Sequence, residues 1–263
     1  MTSDITGVWR KIHRAGMDLD ALKAEERRFF DSHPYGVRVV KDHMNPVPDI
    51  VNELILVDRI DPVPVDFQVS IGQVLYNLRS ALDHLAWQLV IANNGNPGKS
   101  TSFPIVDDVL DERGNVRTLK IGGGVHPNAW ALIEAAQPYH RTDDPTLDPL
   151  WILNELGNID KHRLLIVLAM GFDAQRVNLK DSLGGGVHHV RLDEPRPLKP
   201  GTYLGTFATP ADAYDPQVQM DYQVSGFVAF HEREVCASKR VTDVLEHLLQ
   251  AVMLLVAGFN AMV

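Results

Sequence analysis

The sequence predicts an α+β fold: a helical bundle of about four main helices with an associated antiparallel β-sheet. Three observations lead to it. Apolar residues recur at helical spacing within about 4–31, 69–92, 127–163 and 236–262. Runs rich in β-branched and aromatic residues, bounded by Gly- and Pro-rich turns, occupy about 35–60 and 176–231. The two kinds of segment do not alternate, which argues against a doubly wound parallel sheet. A single domain over residues 1–263 is the economical arrangement, with two subdomains discontinuous in sequence as the alternative.

Each element has a local reason. Residues 4–31 read as a helix because Ser3 or Asp4 can cap it and Ile5, Val8, Ile12, Leu19, Leu22 and Phe29 or Phe30 share a face; Pro34 stops it. YGVRVVKD and DIVNELILVDRI, separated by HMNPVP, read as an antiparallel strand pair. Residues 69–92 form the clearest helix. At about 100° per residue, Val74, Leu78, Leu82, Leu85 and Leu89 line one side, while Tyr76, Arg79, Ser80, Asp83, His84 and Trp87 fall within ~140° on the other. NNGNPG ends it.

FPIV, inside an otherwise loop-like 101–126, reads as a short strand. Pro127 suits the first position of a helix running to about Gln137, and Asp148-Pro149 caps and opens a helix over PLWILNELGNIDKHR. LLIVLAMGF, residues 164–172, fits either helix or strand. VHHVRL, TYLGTFAT and VQMDYQVSGFVAFHER are β runs, and a helix over 236–262 carries Val244, Leu248, Val252 and Phe259 on its apolar side. GGGVH occurs at 122–126 and 184–188 without matching surroundings, so it is not a repeat architecture.

Composition bounds the function. At 45% hydrophobic and 22% charged, the 263-residue chain can bury a core that offsets its ordering entropy, which excludes disorder. The net charge of −9 sets a long-range field against nucleic acid and anionic membrane unless a local basic patch overrides it. The lone Cys236 has no disulfide partner, and the opening MTSDITGVWRKIHRAG lacks a signal peptide's apolar run; both predict a reducing, cytoplasmic setting. LLQAVMLLVAGFNAMV is too short and too polar to span a bilayer, so no membrane partner is expected. Its apolar character makes the last helix the expected interface of a homodimer.

Two polar segments stand out. In NLRSALDHLAWQL, Arg79 and Asp83 sit one turn apart and share their arc with Tyr76 and Trp87, large aromatics that seldom decorate a purely solvated face. In LNELGNIDKHR, Trp151, Asn154, Glu155, Asn158 and His162 fall within about 100° of one another on a helix. Gly157 offers a place for a neighbouring helix to approach closely. The two arcs are expected to face each other, with Asn158 and His162 near Arg79, Asp83 and His84. The alternative is that these groups are satisfied polar cross-links between helices.

Other chemistries have thinner support. Asp83, His84, Glu155, Asp160 and His162 are metal-donor types, but no Glu-x-x-His, HExxH or Cys pair supplies a ligand spacing, and His188 and His189 point to opposite strand faces. No metal and no cofactor is therefore expected. IGGGVHPNAW lacks the GK[ST] of a phosphate loop, and no Gly-x-Ser-x-Gly elbow occurs. Cys236, near a helix start, is a candidate for a lowered thiol pKa or a structural cysteine.

NLRSALDHLAWQLV, FPI, AAQPYH and LWILNELGNIDKHRLL resemble a group of bacterial proteins, of unassigned activity, that carry LRSALDH and NIDKHR motifs. The Arg79–His84 spacing also resembles that of the HEPN superfamily (higher eukaryotes and prokaryotes nucleotide-binding), helical bundles that include metal-independent ribonucleases. Arg followed by His at similar spacing recurs elsewhere, as at Arg27–His33, Arg38–His43 and Arg240–His247, but only Arg79–His84 lies on a strong helix with an aromatic-flanked polar arc. The resemblance implies RNA as partner, with Arg79 holding phosphate and His84 orienting the 2′-hydroxyl attack. Asp83 and His162 complete the expected catalytic set, and Tyr76, Trp87, Asn158 and Lys161 are the expected substrate contacts. Two further readings stay open: a non-catalytic ligand- or protein-binding module with a structural polar network, and a metal-assisted enzyme.

Overall fold

The structure is a computed structural model; it describes residues 3–44, 46–110, 113–117, 119–180, 187–212, 214, 219–232 and 235–263, with the side chains of 172–196, 207 and 219–225 left aside. The fold is α+β. The chain divides into two compact units: Met1–Lys23, Val65–Ile166 and Phe230–Val263 form a helical unit, and Ala24–Pro64 with Val167–Ala229 form a strand-rich one.

In the helical unit, α1 (Thr6–Asp31, which runs on into the strand-rich unit) is capped by Asp4, whose Oδ1 accepts from the Thr6 amide at 2.7 Å. Val8, Ile12, Ala15, Leu19 and Leu22 are buried, at alternating spacings of four and three. α2 (Val65–Ala92) begins four residues earlier than the sequence predicts and buries the expected Val74, Leu78, Leu82, Leu85 and Leu89. Two residues past its end, Asn94 takes the left-handed region at φ 56°, and the Gly95 amide reaches back to the Val90 carbonyl.

The helical tract expected over 127–163 is broken by its prolines. α3 (Pro127–Ala135) is capped by His126, a four-residue α4 (Pro138–Arg141) follows, and a 3-10 turn occupies Pro145–Leu147. Pro138 and Pro145 lack the amide that a continuing helix needs. α5 (Pro149–His162) opens as predicted, with the fully buried Asp148 accepting from the Leu150 amide at 2.8 Å. Arg163 is extended, so 164–172 does not prolong the helix; a strand starts at Val167. α6 (Val241–Ala257) is shorter than the predicted 236–262, because Cys236 and Ser238 take positive φ of 55° and 63° and cannot begin a helix. No helix among the described residues is long and apolar enough to cross a membrane.

In the strand-rich unit, β1 (Tyr35–Lys41) and β2 (Ile50–Ile60) form the expected antiparallel pair, with Tyr35 opposite Ile60 and Lys41 opposite Glu53. Among the described residues the single predicted sheet is two sheets of three strands each. β5 (Tyr203–Pro210) pairs antiparallel with β2, giving the order β1-β2-β5. β3 (Val167–Lys180) lies between β4 (Val187–Pro197) and β6 (Gln219–Phe230). β3 begins within the stretch 164–172 that fitted either helix or strand. Tyr35, Ile55, Val57, Ala169, Leu198 and Leu204 make the core of this unit. His188 and His189 belong to β4, and the expectation about their side chains lies outside the described residues.

Candidate functional site

Arg79 and Asp83 are brought together, and their target is a peptide unit. Asp83 Oδ1 accepts from the Phe103 amide at 3.0 Å, and Arg79 Nη2 donates to the Phe103 carbonyl at 2.8 Å. The two side chains also pair, Nη2 to Oδ1 at 3.3 Å. From the α3–α4 junction, the fully buried Gln137 does the same for the next residues: its Oε1 accepts from the Val106 amide at 3.0 Å and its Nε2 donates to the carbonyls of Pro104 and Ile133 at 3.1 and 2.8 Å. FPIV is thus not the short strand its composition suggests. Side chains from α2 and from the α3–α4 junction take the place of neighbouring strands, so buried backbone groups that would each cost about 1–3 kcal/mol unpaired are satisfied. The Phe103 ring is sealed inside at 0% exposure.

Arg79 is turned inward. Its side chain is 21% exposed, its Nη1 is buried without a hydrogen-bond partner, and burial pulls the guanidinium pKa down against the opposing pull of Asp83. His84, one residue past Asp83, points elsewhere. It lines a pocket of about 430 Å³ with Asp83, Trp87, Gln88 and Thr101. Its Nδ1 lies 4.0 Å from where a Cβ on Gly7 would be, at the start of α1. Burial first and the Lys11 ammonium second lower its pKa, against Asp83. Along the same edge the Asp4 amide donates to Gln88 at 2.9 Å, and Lys11 Nζ stands 5.4 Å above the Tyr76 ring.

The second polar arc makes hydrogen bonds of its own. Lys161 Nζ donates to Asn158 Oδ1 at 3.2 Å, Asn154 donates to Glu155 at 3.2 Å, and His162 is exposed at the end of α5. Among the described residues no hydrogen bond or ion pair joins Asn158, Lys161 or His162 to Arg79, Asp83 or His84. α2 and α5 approach closely at Gly72 and Asp160: a Cβ on Gly72 would lie 2.5 Å from Asp160 Oδ2. Gly72 precedes Arg79 by seven residues, ~10 Å along the helix axis. Gly157, the glycine expected to admit a neighbour, has nothing within 4 Å of its absent side chain.

That meeting point opens into a groove of about 670 Å³ between α1, α2 and α5, lined by Asp18, Gly72, Tyr76, Asp160 and Leu164 among others. Asp18 is satisfied: Arg14 Nε contacts its two oxygens at 2.9 and 3.1 Å, and Asn77 donates at 3.3 Å. Asp160 has no hydrogen bond or ion pair among the described residues, and burial raises its pKa.

A further cavity of about 600 Å³ is lined by Trp151, Glu155, Arg163, His231 and Glu232. Two of its charged groups are engaged with each other. Arg163 grips Glu232 at 2.8 and 2.6 Å, and Glu232 also accepts from the Ile166 amide at 2.7 Å. These contacts hold the Glu232 carboxyl below its ordinary range despite its burial. Cys236 is pushed the opposite way from a reactive thiol, since burial raises its pKa and the helix starts only at Val241. Among the described residues no three His, Cys, Asp or Glu side chains gather to hold a metal ion.

Sequence reasoning missed Gln137, the Arg163–Glu232 pair and the contact of Asp160, named there only as a metal-donor type, with Gly72. A signal for Asp160 existed: Gly72 sits inside an otherwise strong helix, where glycine costs about 1 kcal/mol relative to alanine and asks for a close neighbour. No family model, no curated protein and no solved structure matches this chain.

Proposed function

We propose that the chain is a non-catalytic ligand-binding module in which the polar network of α2 is structural and the groove between α1, α2 and α5 is the ligand seat. The observation that carries this reading is the commitment of Arg79 to the Phe103 carbonyl and to Asp83. A ribonuclease built on Arg79 and His84 needs that guanidinium free beside a phosphate, and Asp83 adds negative charge between them. The groove, by contrast, offers an unpaired carboxylate beside a Tyr76 ring that is 67% exposed.

The test sets the two readings against each other. Purified protein and His84→Ala, a substitution at an exposed position, are incubated with total RNA with and without EDTA, and a fragment set is screened by protein-observed NMR. The binding module predicts no RNA cleavage that His84→Ala removes, and fragment shifts confined to groove residues. Chelator-insensitive cleavage by the wild type that His84→Ala abolishes would overturn it.

A further inference from the structure

Asp160 is held at a position that works against the fold in three ways. It stands in the last turn of α5, where the unpaired carbonyls carry partial negative charge and repel an anion. Its carboxyl is pressed against the α2 backbone at Gly72, leaving room for no side chain there. It is partly desolvated without a compensating partner among the described residues. The other carboxylate of the groove, Asp18, shows what a structural acid looks like here, with Arg14 and Asn77 both engaged on it. A residue that breaks local rules with no structural return marks a position kept for function.

The surroundings define what would complete it. Tyr76 turns an exposed ring toward the groove, and Val69 and Leu164, 43% and 42% exposed, add apolar surface at its rim. The ring already holds an ammonium on the protein's own account, that of Lys11 at 5.4 Å. Arg14 is tied to Asp18 and leaves Asp160 as the open charge. Resting on the binding-module reading, we propose that the groove takes a small organic ammonium ion, an amine on an apolar or aromatic body, with Asp160 as its ion-pair partner and Tyr76, Val69 and Leu164 against its body.

Benzylammonium is the probe and benzyl alcohol its neutral match, titrated into the full chain by NMR and calorimetry. The expected result is binding of benzylammonium that falls about tenfold or more in Asp160→Asn and severalfold in Tyr76→Ala, with benzyl alcohol at least about tenfold weaker on the wild type. In the same preparations Asp160→Asn melts at a higher temperature than ligand-free wild type, and benzylammonium raises the melting temperature of the wild type alone. Equal affinity for wild type and Asp160→Asn, or no saturable binding up to about 10 mM, overturns the proposal. If neutral fragments still shift groove residues, the ammonium assignment falls while the binding module stands. If nothing enters the groove and His84-dependent RNA cleavage is found, both fall.

Discussion

The carboxylate of Asp83 accepts the amide proton of Phe103 at 3.0 Å, so a helix side chain occupies the place where a neighbouring strand would run. Asp83→Ala strands that buried amide and releases Arg79 from one of its two partners. Urea unfolding should show a loss of about 1–3 kcal/mol, and Asp83→Asn, which keeps an acceptor oxygen, should lose less. Equal losses for the two variants would mean that the Arg79–Asp83 charge pair, not the amide bond, is what counts.

Gln137 makes the complementary prediction on the other side of the same segment. Gln137→Met fills the space but leaves the Val106 amide and the Pro104 carbonyl unpaired inside the protein. The expected destabilisation is again about 1–3 kcal/mol, accompanied by faster hydrogen exchange at Val106. Unchanged exchange there would show that Val106 is protected by something other than Gln137.

The Asp160 carboxyl binds its proton more tightly folded than unfolded, because burial raises its pKa. Its contribution therefore favours folding in acid and is lost as pH rises past the ordinary carboxylate range near ~3.9 through the raised folded value. Asp18, Arg14 and Tyr76 face the same groove and are unchanged in Asp160→Asn. The melting-temperature advantage of Asp160→Asn over the wild type should thus be small in acid and grow toward neutral pH. An advantage that shrinks toward neutral pH would contradict the sign.

The Arg163–Glu232 pair has the opposite dependence. Glu232 is held below its ordinary range, first by its hydrogen bond to Arg163, so the stability it supplies is present above ~4.3 and disappears as pH falls through its folded value. Arg163→Met should lower stability at neutral pH, by an amount kept small by solvent screening of the half-exposed Arg163, and change it hardly at all in strong acid. Thermal melts of the two proteins across pH would converge at the acid end.

His84 is expected to titrate below an ordinary histidine, burial being the larger cause and the Lys11 ammonium the next. Lys11→Met should raise its midpoint in an NMR titration of the imidazole. A midpoint that does not move would place Lys11 farther from the ring than the structure does.

The helices were legible because their causes are local. Asp148-Pro149 opens α5 where the cap chemistry says it should, and the apolar spacing over Val8–Leu22 and Val74–Leu89 matches the faces that are buried. Helix ends were less so: Pro138 and Pro145 divide a tract that periodicity joins, and the positive φ at Cys236 and Ser238 removes a turn that composition alone would grant. The candidate site was half legible. Arg79, Asp83 and His84 could be read as a polar arc, but which partner each one meets is set over twenty residues or more in sequence: Phe103 for the first two and Gly7 for the third. Helix geometry alone turns Asp160 away from Asn158 and His162, and only the course of α2 past Gly72 gives it a neighbour.

The interleaving of the two units in the chain has a consequence for biosynthesis. The helical unit takes α6, residues 241–257, into its core, whereas the strand-rich unit is complete once residue 229 has been made. On the ribosome the strands can therefore close while the helices still wait for their last member, with the parts of α1 and α2 that α6 covers exposed in the interval. That interval is when a nascent chain of this protein is most exposed to misassembly and most in need of a chaperone.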